Sequence, residues 1–251
     1  MDGTTEPVVA VIGHPIAGNP AQFAIERALL SLQLPWRVMS FDIAPANVEP
    51  ALNGLETLAF RGVLVDRSLA PLAAAWYRAK DTSRRVPSLL GCLYRDAGDP
   101  DIFAADTPAT RWLAKELEPL VQEGKVKSSI WLGDDDPVFP QDLLNFSTVS
   151  ARKKIHHPES LAAFDLVVLA TSDHQPLDLR IQDWLPGDGA TLVLDLSAGH
   201  PHQVKIRELG YRLISAEQIH AGMICEAIRS WTSQVPAEEV VQEAIEEYLA
   251  V

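Results

Sequence analysis

The feature that most constrains this chain is an alternation: short runs of β-forming apolar residues take turns with stretches whose apolar residues recur at helical spacing. Residues 8–12 (VVAVI) read as a buried strand, and residues 21–32 place Phe23, Ala24, Ala28, Leu29 and Leu32 on a helical period. The pairing repeats. Residues 36–41 predict a strand and 48–58 a helix; residues 62–65 predict a buried strand and 72–80 a helix. A further strand is expected over 89–94, ahead of a turn at Asp96-Ala97-Gly98. This order predicts an α/β fold with a mainly parallel sheet covered by helices.

The second half continues the pattern. Thr107 and Pro108 suit the N-cap and first position of a helix over 108–124. Strands are expected at 129–132 (SIWL), 166–170 (LVVLA) and 191–196 (TLVLDL). Gly210 after Leu209 is a helix stop. Residues 220–249 are helical with a break at Pro236. A boundary near residues 106–108 divides the chain into two α/β domains. The expected division is 1–107 with 220–251, the C-terminal helices folding back on the first domain, and 108–219 as a parallel-sheet domain.

Composition bears on partners. Lys and Arg number 21 against 34 Asp and Glu, a net charge of −13. That balance opposes a general role on nucleic acid, which needs basic residues gathered on one face. It also opposes anionic ligands unless local cations or backbone N–H groups receive them. Cys92 and Cys225 form neither a metal-type spacing nor a disulfide framework, and read as buried thiols. No basic leader precedes an apolar stretch, and no apolar run has the roughly 20 residues a membrane span needs. A cytoplasmic location is the expectation.

Several segments, taken in order, resemble the shikimate/quinate dehydrogenases. Gly13-His14-Pro15-Ile16-Ala17 resembles the GNPIAHSxSP opening of that family, and Leu32-Gln33-Leu34-Pro35-Trp36 its LGLxW at the same distance. Phe60-Arg61-Gly62-Val63 resembles the start of FxGxNVTxPxK; Leu93-Tyr94-Arg95-Asp96 and Asp106 track NTLxRxxG…NTDG. Residues 164–171 (FDLVVLAT) resemble DLVVNAT, and Ser230-Trp231-Thr232 the close of ELWTG. The resemblance implies two α/β domains with a cleft between them: an N-terminal domain of the substrate-binding type and a C-terminal Rossmann-like, NADP-binding type.

Residue by residue, the resemblance also implies loss. The family's two substrate-binding serines fall on Asn19 and Ala21; Asn19 keeps a hydrogen-bonding group and Ala21 does not. Its asparagine and threonine fall on Leu64 and Asp66, and its catalytic lysine on Ala70, whose methyl transfers no proton. Arg67 and Lys80 are the nearest cations, and the guanidinium of Arg67 does not deprotonate near neutral pH. A second asparagine falls on Gly91 and a glutamine on Met223. Asp106 alone is retained. An aspartate before Thr107-Pro108 is also a good turn or helix-start residue, which without the lysine is the preferred reading.

The cofactor turn GAGGA of the family corresponds here to Gly133-Asp134-Asp135-Asp136-Pro137. Gly133 is a doubtful remnant of a phosphate site, because an aspartate about 5 Å from a phosphate costs roughly 1–3 kcal/mol. The Gly187-Asp188-Gly189 turn supplies no substitute. Arg152, Lys153 and Lys154 read as a solvated face before a 2′-phosphate reader. Asp134 to Asp136 read as an acidic helix start before a cation site. His156-His157 and His200-x-His202 read as loop histidines, since neither pair has a third ligand at metal spacing. Met223 and the tryptophans read as core.

These readings predict a dehydrogenase-like pseudoenzyme with a binding or regulatory role. Its cleft would be lined by Asn19, Asp66 and Arg67, with no metal and no cofactor. Its partner would be a small molecule, a protein or a second copy of the chain. The alternative is an active NADP-dependent dehydrogenase acting on shikimate or a relative. A third reading is another reaction class in the inherited cleft, built on a carboxylate beside Asp66 or Asp106.

Overall fold

The computed structural model describes residues 6–80, 90–95, 100–133, 164–170, 184–197 and 203–250. They form two compact units, Met1–Arg111 with Ala221–Val251, and Trp112–His220. The mixed α/β class follows the alternation read from the sequence.

In the first unit the strands are β1 (Val8–Gly13), β2 (Arg37–Asp42), β3 (Gly62–Val65), β4 (Cys92–Arg95) and β5 (Phe103–Asp106). They are ordered β2-β1-β3-β4-β5. β1 pairs in parallel with β2 and β3, but β3–β4 and β4–β5 are antiparallel. The mainly parallel sheet expected for this half is therefore corrected to a mixed one. For β4 and β5 the reason is local: they follow one another without an intervening described helix, and only a crossover can return a chain in parallel. β5, with the sequence FAAD, carries no strand signal strong enough to be read ahead of the structure.

Helices cover both faces of this sheet. Val9, Val11, Leu64 and Cys92 bury against α1 (Ala21–Ser31), α6 (Ala216–Thr232) and α7 (Glu238–Leu249). Ala10, Ile12, Val63 and Val65 bury against α2 (Val48–Thr57) and α3 (Ala70–Lys80). Alternate residues of β1 thus enter opposite cores, which explains its unbroken apolar run. Cys92 and Cys225 lie in the first of these cores as apolar thiols, and burial pushes the Cys92 thiol far up. Trp231 of α6 lies over Gly62: a Cβ there would stand 2.1 Å from the indole Nε1. That nitrogen donates to the Leu93 carbonyl at 3.0 Å.

In the second unit β6 (Ser129–Gly133), β7 (Leu166–Ala170), β8 (Leu192–Asp195) and β9 (Arg212–Ile214) form an all-parallel sheet in that order. Trp112, Leu113 and Leu117 of α4 (Pro108–Gln122) cover one face with Trp131, Leu166, Val168 and Leu194. Ile206 of α5 (Gln203–Glu208) packs on the other with Ile130, Val167 and Val193. Gly210, at φ +86°, provides the left-handed stop after α5. Residues 220–249 are helical with a break around Pro236, as α6 ends at Thr232 and α7 begins at Glu238; α5 and β9 precede them. Among the described residues no helix is long and apolar enough to cross a membrane.

Asp165 anchors the entry to this sheet. It accepts from the Lys127 and Ser128 N–H groups and from Ser128 Oγ, each at 2.9 Å. Burial pushes its carboxyl up, but these donors outweigh burial and hold it below its ordinary 3.8. A depressed carboxylate contributes stability that is complete above its unfolded value and lost as pH falls through the folded one. An Asp165→Asn variant, followed by circular dichroism, is expected to lose less stability than the wild type between about pH 5 and pH 2. Gly62→Ala is expected to lower the urea-derived stability by about 1–3 kcal/mol, as the methyl displaces Trp231.

Candidate functional site

The site begins at the strand order. The chain runs from β1 to β2 on one side, then returns to place β3 on the other. The loop after β1 leads to α1 on one face of the sheet, and the loop after β3 leads to α3 on the opposite face. Ligands of open α/β sheets bind at such a switch point, outside the carboxyl ends of the strands.

Backbone bonds align those ends. Ile43 donates to Gly13 O at 3.0 Å, Asp66 to Ile12 O at 2.8 Å, Val65 to Gly91 O at 3.0 Å and Gly91 to Asp106 O at 3.2 Å. Asp42, Asp66 and Asp106 consequently share one edge, at the ends of β2, β3 and β5.

Two of the predicted cleft residues meet there. Asn19 Nδ2 donates to Asp66 Oδ2 at 3.1 Å, and Asn19 Oδ1 accepts from the Ala21 N–H at 2.9 Å. Asp66 Oδ1 accepts from the Ser68 N–H at 2.9 Å and from Ser68 Oγ at 2.6 Å. The hydrogen-bonding group that Asn19 keeps is turned onto Asp66, a carboxylate of the protein's own. Arg67 follows on the exposed side of this loop. Ala70, at the position of the family's lysine, is 3% exposed and packs in the core with Leu69 and Ala73. Leu64 is buried, and Met223 packs against the core of α1, α6 and α7.

Asp106 lies in a separate network. Its Oδ1 accepts the Thr107 N–H at 2.7 Å; its Oδ2 accepts from Arg111 Nη1 at 2.6 Å and Ser230 Oγ at 2.8 Å. Arg111 also donates through Nε to Glu226 Oε2 at 2.7 Å, and through Nη2 to the Glu226 carbonyl and Ser230 Oγ. Glu226, 1% exposed, holds Arg229 as well, at 3.1 Å. Two carboxylates face two guanidiniums in a closed arrangement. Thr107 N–H bonding by Asp106 agrees with its reading as a helix-start residue.

Gly133 ends β6 opposite Ala170, in the second unit. The rest of its turn, together with Asp134 to Asp136, Arg152, Lys153, Lys154, His156, His157, His200 and His202, lies outside the described residues. Among the described residues no group of three His, Cys, Asp or Glu could hold a metal ion.

Sequence reasoning missed His14, Asp42, Ser68, Arg111 and Glu226. The Glu226–Arg229–Ser230 spacing put all three on one helical face, a usable signal. His14 and Asp42 are joined only by the parallel register, in which Gly13 stands beside Asp42.

The described residues make up a mixed-sheet unit sealed by helices on both faces and a parallel four-stranded unit. The chain is similar in sequence and in fold to shikimate dehydrogenases. It is 25% identical over 264 aligned positions to a shikimate dehydrogenase (NADP(+)) of Anaeromyxobacter dehalogenans, spanning 94% of each chain. Shikimate 5-dehydrogenase of Thermus thermophilus, solved with NADP(H) and shikimate, superposes with a TM-score of 0.71 at 18% identity, covering 97% of this chain and all of that one. The 5-ketofructose reductase of a Gluconobacter species, solved without ligand, superposes at 0.72 and 12% identity, over 98% and 99% of the two chains. No family-wide sequence profile matches the chain.

Removing Glu226 leaves two arginines without their shared buried carboxylate. Glu226→Ala is expected to cost about 3 kcal/mol in urea denaturation. Glu247→Ala, which breaks an exposed pair with Arg27, is expected to cost less than about 1 kcal/mol. Equal losses from the two variants would rule out a structural role for the Glu226 network.

Proposed function

We propose that this chain is a binding or regulatory protein on a shikimate dehydrogenase-like scaffold and performs no hydride transfer. The observation that carries this reading is the state of Asp106, the one retained member of the family's set. Both of its oxygens are taken by Thr107, Arg111 and Ser230, and Ala70 offers no proton donor in the lysine's place. A general acid or base needs a group that can exchange a proton with the reacting atom. Arg111 stays charged at any working pH and cannot serve as that group.

The cofactor side supports the same reading. Gly133 is followed in the sequence by Asp134, Asp135 and Asp136, and carboxylates do not fit a pyrophosphate. On the first unit, Asn19 spends its amide on Asp66, and that carboxylate repels a ligand bearing another.

One observation favours a second reading, an NADP-dependent dehydrogenase of shikimate or a relative. The relatives named as such match along 94% of the chain. Calorimetry separates the two. NADP(H) and NAD(H) are titrated with shikimate and quinate present and absent, and NADPH oxidation by 3-dehydroshikimate is followed in parallel. No heat at millimolar cofactor and no oxidation are expected. Micromolar cofactor binding with turnover would overturn the proposal and establish the dehydrogenase.

A further inference from the structure

We propose that the Gly187-Asp188-Gly189 turn of the second unit is a modification site, where Asp188 isomerises to isoaspartate through a cyclic imide and so becomes a substrate for enzymatic methylation of the new carboxylate.

The turn leads into β8 and is tied at both ends. Gly187 N donates to Leu209 O at 2.7 Å, and Arg212 N donates to Thr191 O at 3.2 Å. Between these ties Asp188, Gly189 and Ala190 are exposed. The Ala190 N–H donates to Asp188 Oδ1 at 2.9 Å, which folds the carboxyl back along the peptide that follows it. The nitrogen of that peptide belongs to Gly189. Among the described residues no carbonyl accepts its N–H. A Cβ added to Gly189 would meet nothing within 4 Å, and its φ of +81° is one that glycine adopts readily. The electrophile is therefore tethered beside a nucleophile whose approach is unobstructed.

The chemistry needs no co-reactant but water. Gly189 N attacks Asp188 Cγ and gives up its proton, and the carboxyl gives up a hydroxyl. One water leaves and a five-membered imide closes. Charge gathers on a carboxyl oxygen during the attack, and the Ala190 N–H already points at Oδ1. Water then opens the ring. Addition at the main-chain carbonyl of Asp188 carries the backbone through Cβ and Cγ and frees the α-carboxylate. The connection from Gly187 to Thr191 becomes one carbon longer.

Asn53-Gly54 in the first unit is the internal comparison. An asparagine before glycine closes the same ring with loss of ammonia, and in an unfolded chain it does so faster than aspartate. Here it lies inside α2, where an N–H is committed to the carbonyl four residues back. Asn53 Oδ1 also accepts from Trp76 Nε1 at 3.0 Å. The fold therefore shields the more reactive pair and leaves the less reactive one open.

Prolonged incubation of the full chain in neutral buffer, beside the same chain unfolded in urea, tests this. Isoaspartate is located peptide by peptide through electron-transfer fragmentation, and by labelling with an isoaspartate-specific methyltransferase and S-adenosylmethionine. In the folded chain isoaspartate is expected at 188 ahead of 53, preceded by a species lighter by one water. In urea that order is expected to reverse. Asp188→Glu, whose longer side chain cannot close a five-membered ring, is expected to lose the label from this peptide. An Asp188 that stays intact in the folded chain and converts in urea would overturn the site, because the turn would then protect it. Conversion at 53 ahead of 188 in the folded chain, or undiminished label in the Asp188→Glu peptide, would overturn it as well.

Discussion

The first unit depends on a strand that has no solvent face. β1 gives Val9 and Val11 to one core and Ala10 and Ile12 to the other, so helices must seal it on both sides. At roughly 25 cal/mol per Å² of apolar surface, leaving either layer off would expose the most apolar segment of the chain. The strand order follows from this need. With β2 on one side and β3 on the other, the loops at the end of β1 and β3 part company, and the polar groups of the unit collect where they part.

Those groups divide by what neutralises them. Asp106 and Glu226 meet arginines and become structural cement between the end of β5, the start of α4 and the face of α6. Asp42 meets a histidine, and Asp66 accepts from the Asn19 amide and from the N–H and hydroxyl of Ser68. The same residue type at three strand ends therefore plays three parts. In the family this chain resembles, a lysine is the expected companion of the aspartate at the position of Asp106. Here a longer and permanently charged side chain stands beside it.

Much of the architecture was legible because burial leaves a period behind. VVAVI, GVLV and LVVLA announce themselves, as do the helices that follow β1 and β2. β5 and β9 did not, being three or four residues long with mixed composition and no alternation to count. Strand direction was illegible for another reason: it is a property of the connection, and the mixed half of the first sheet looks like the parallel half when read one segment at a time. Asn19 and Asp66 were each legible in the sequence as candidate site residues. Their bond to one another was not, because 47 residues separate them and only the β1–β3 pairing brings them together. Arg111 carries no signal of its own in the sequence, because Glu226 and Ser230, its partners on α6, stand more than a hundred residues away.

The indole of Trp231 on Gly62 carries a consequence for how the protein comes into being. A strand near the N-terminus receives its cover from a helix near the C-terminus, with the whole of Trp112–His220 between them in the sequence. On the ribosome the early strands emerge first and wait, their apolar face open, until the last helices clear the exit tunnel. The interrupted unit is thus the later to be completed and the longer at risk of capture by chaperones or by other nascent chains.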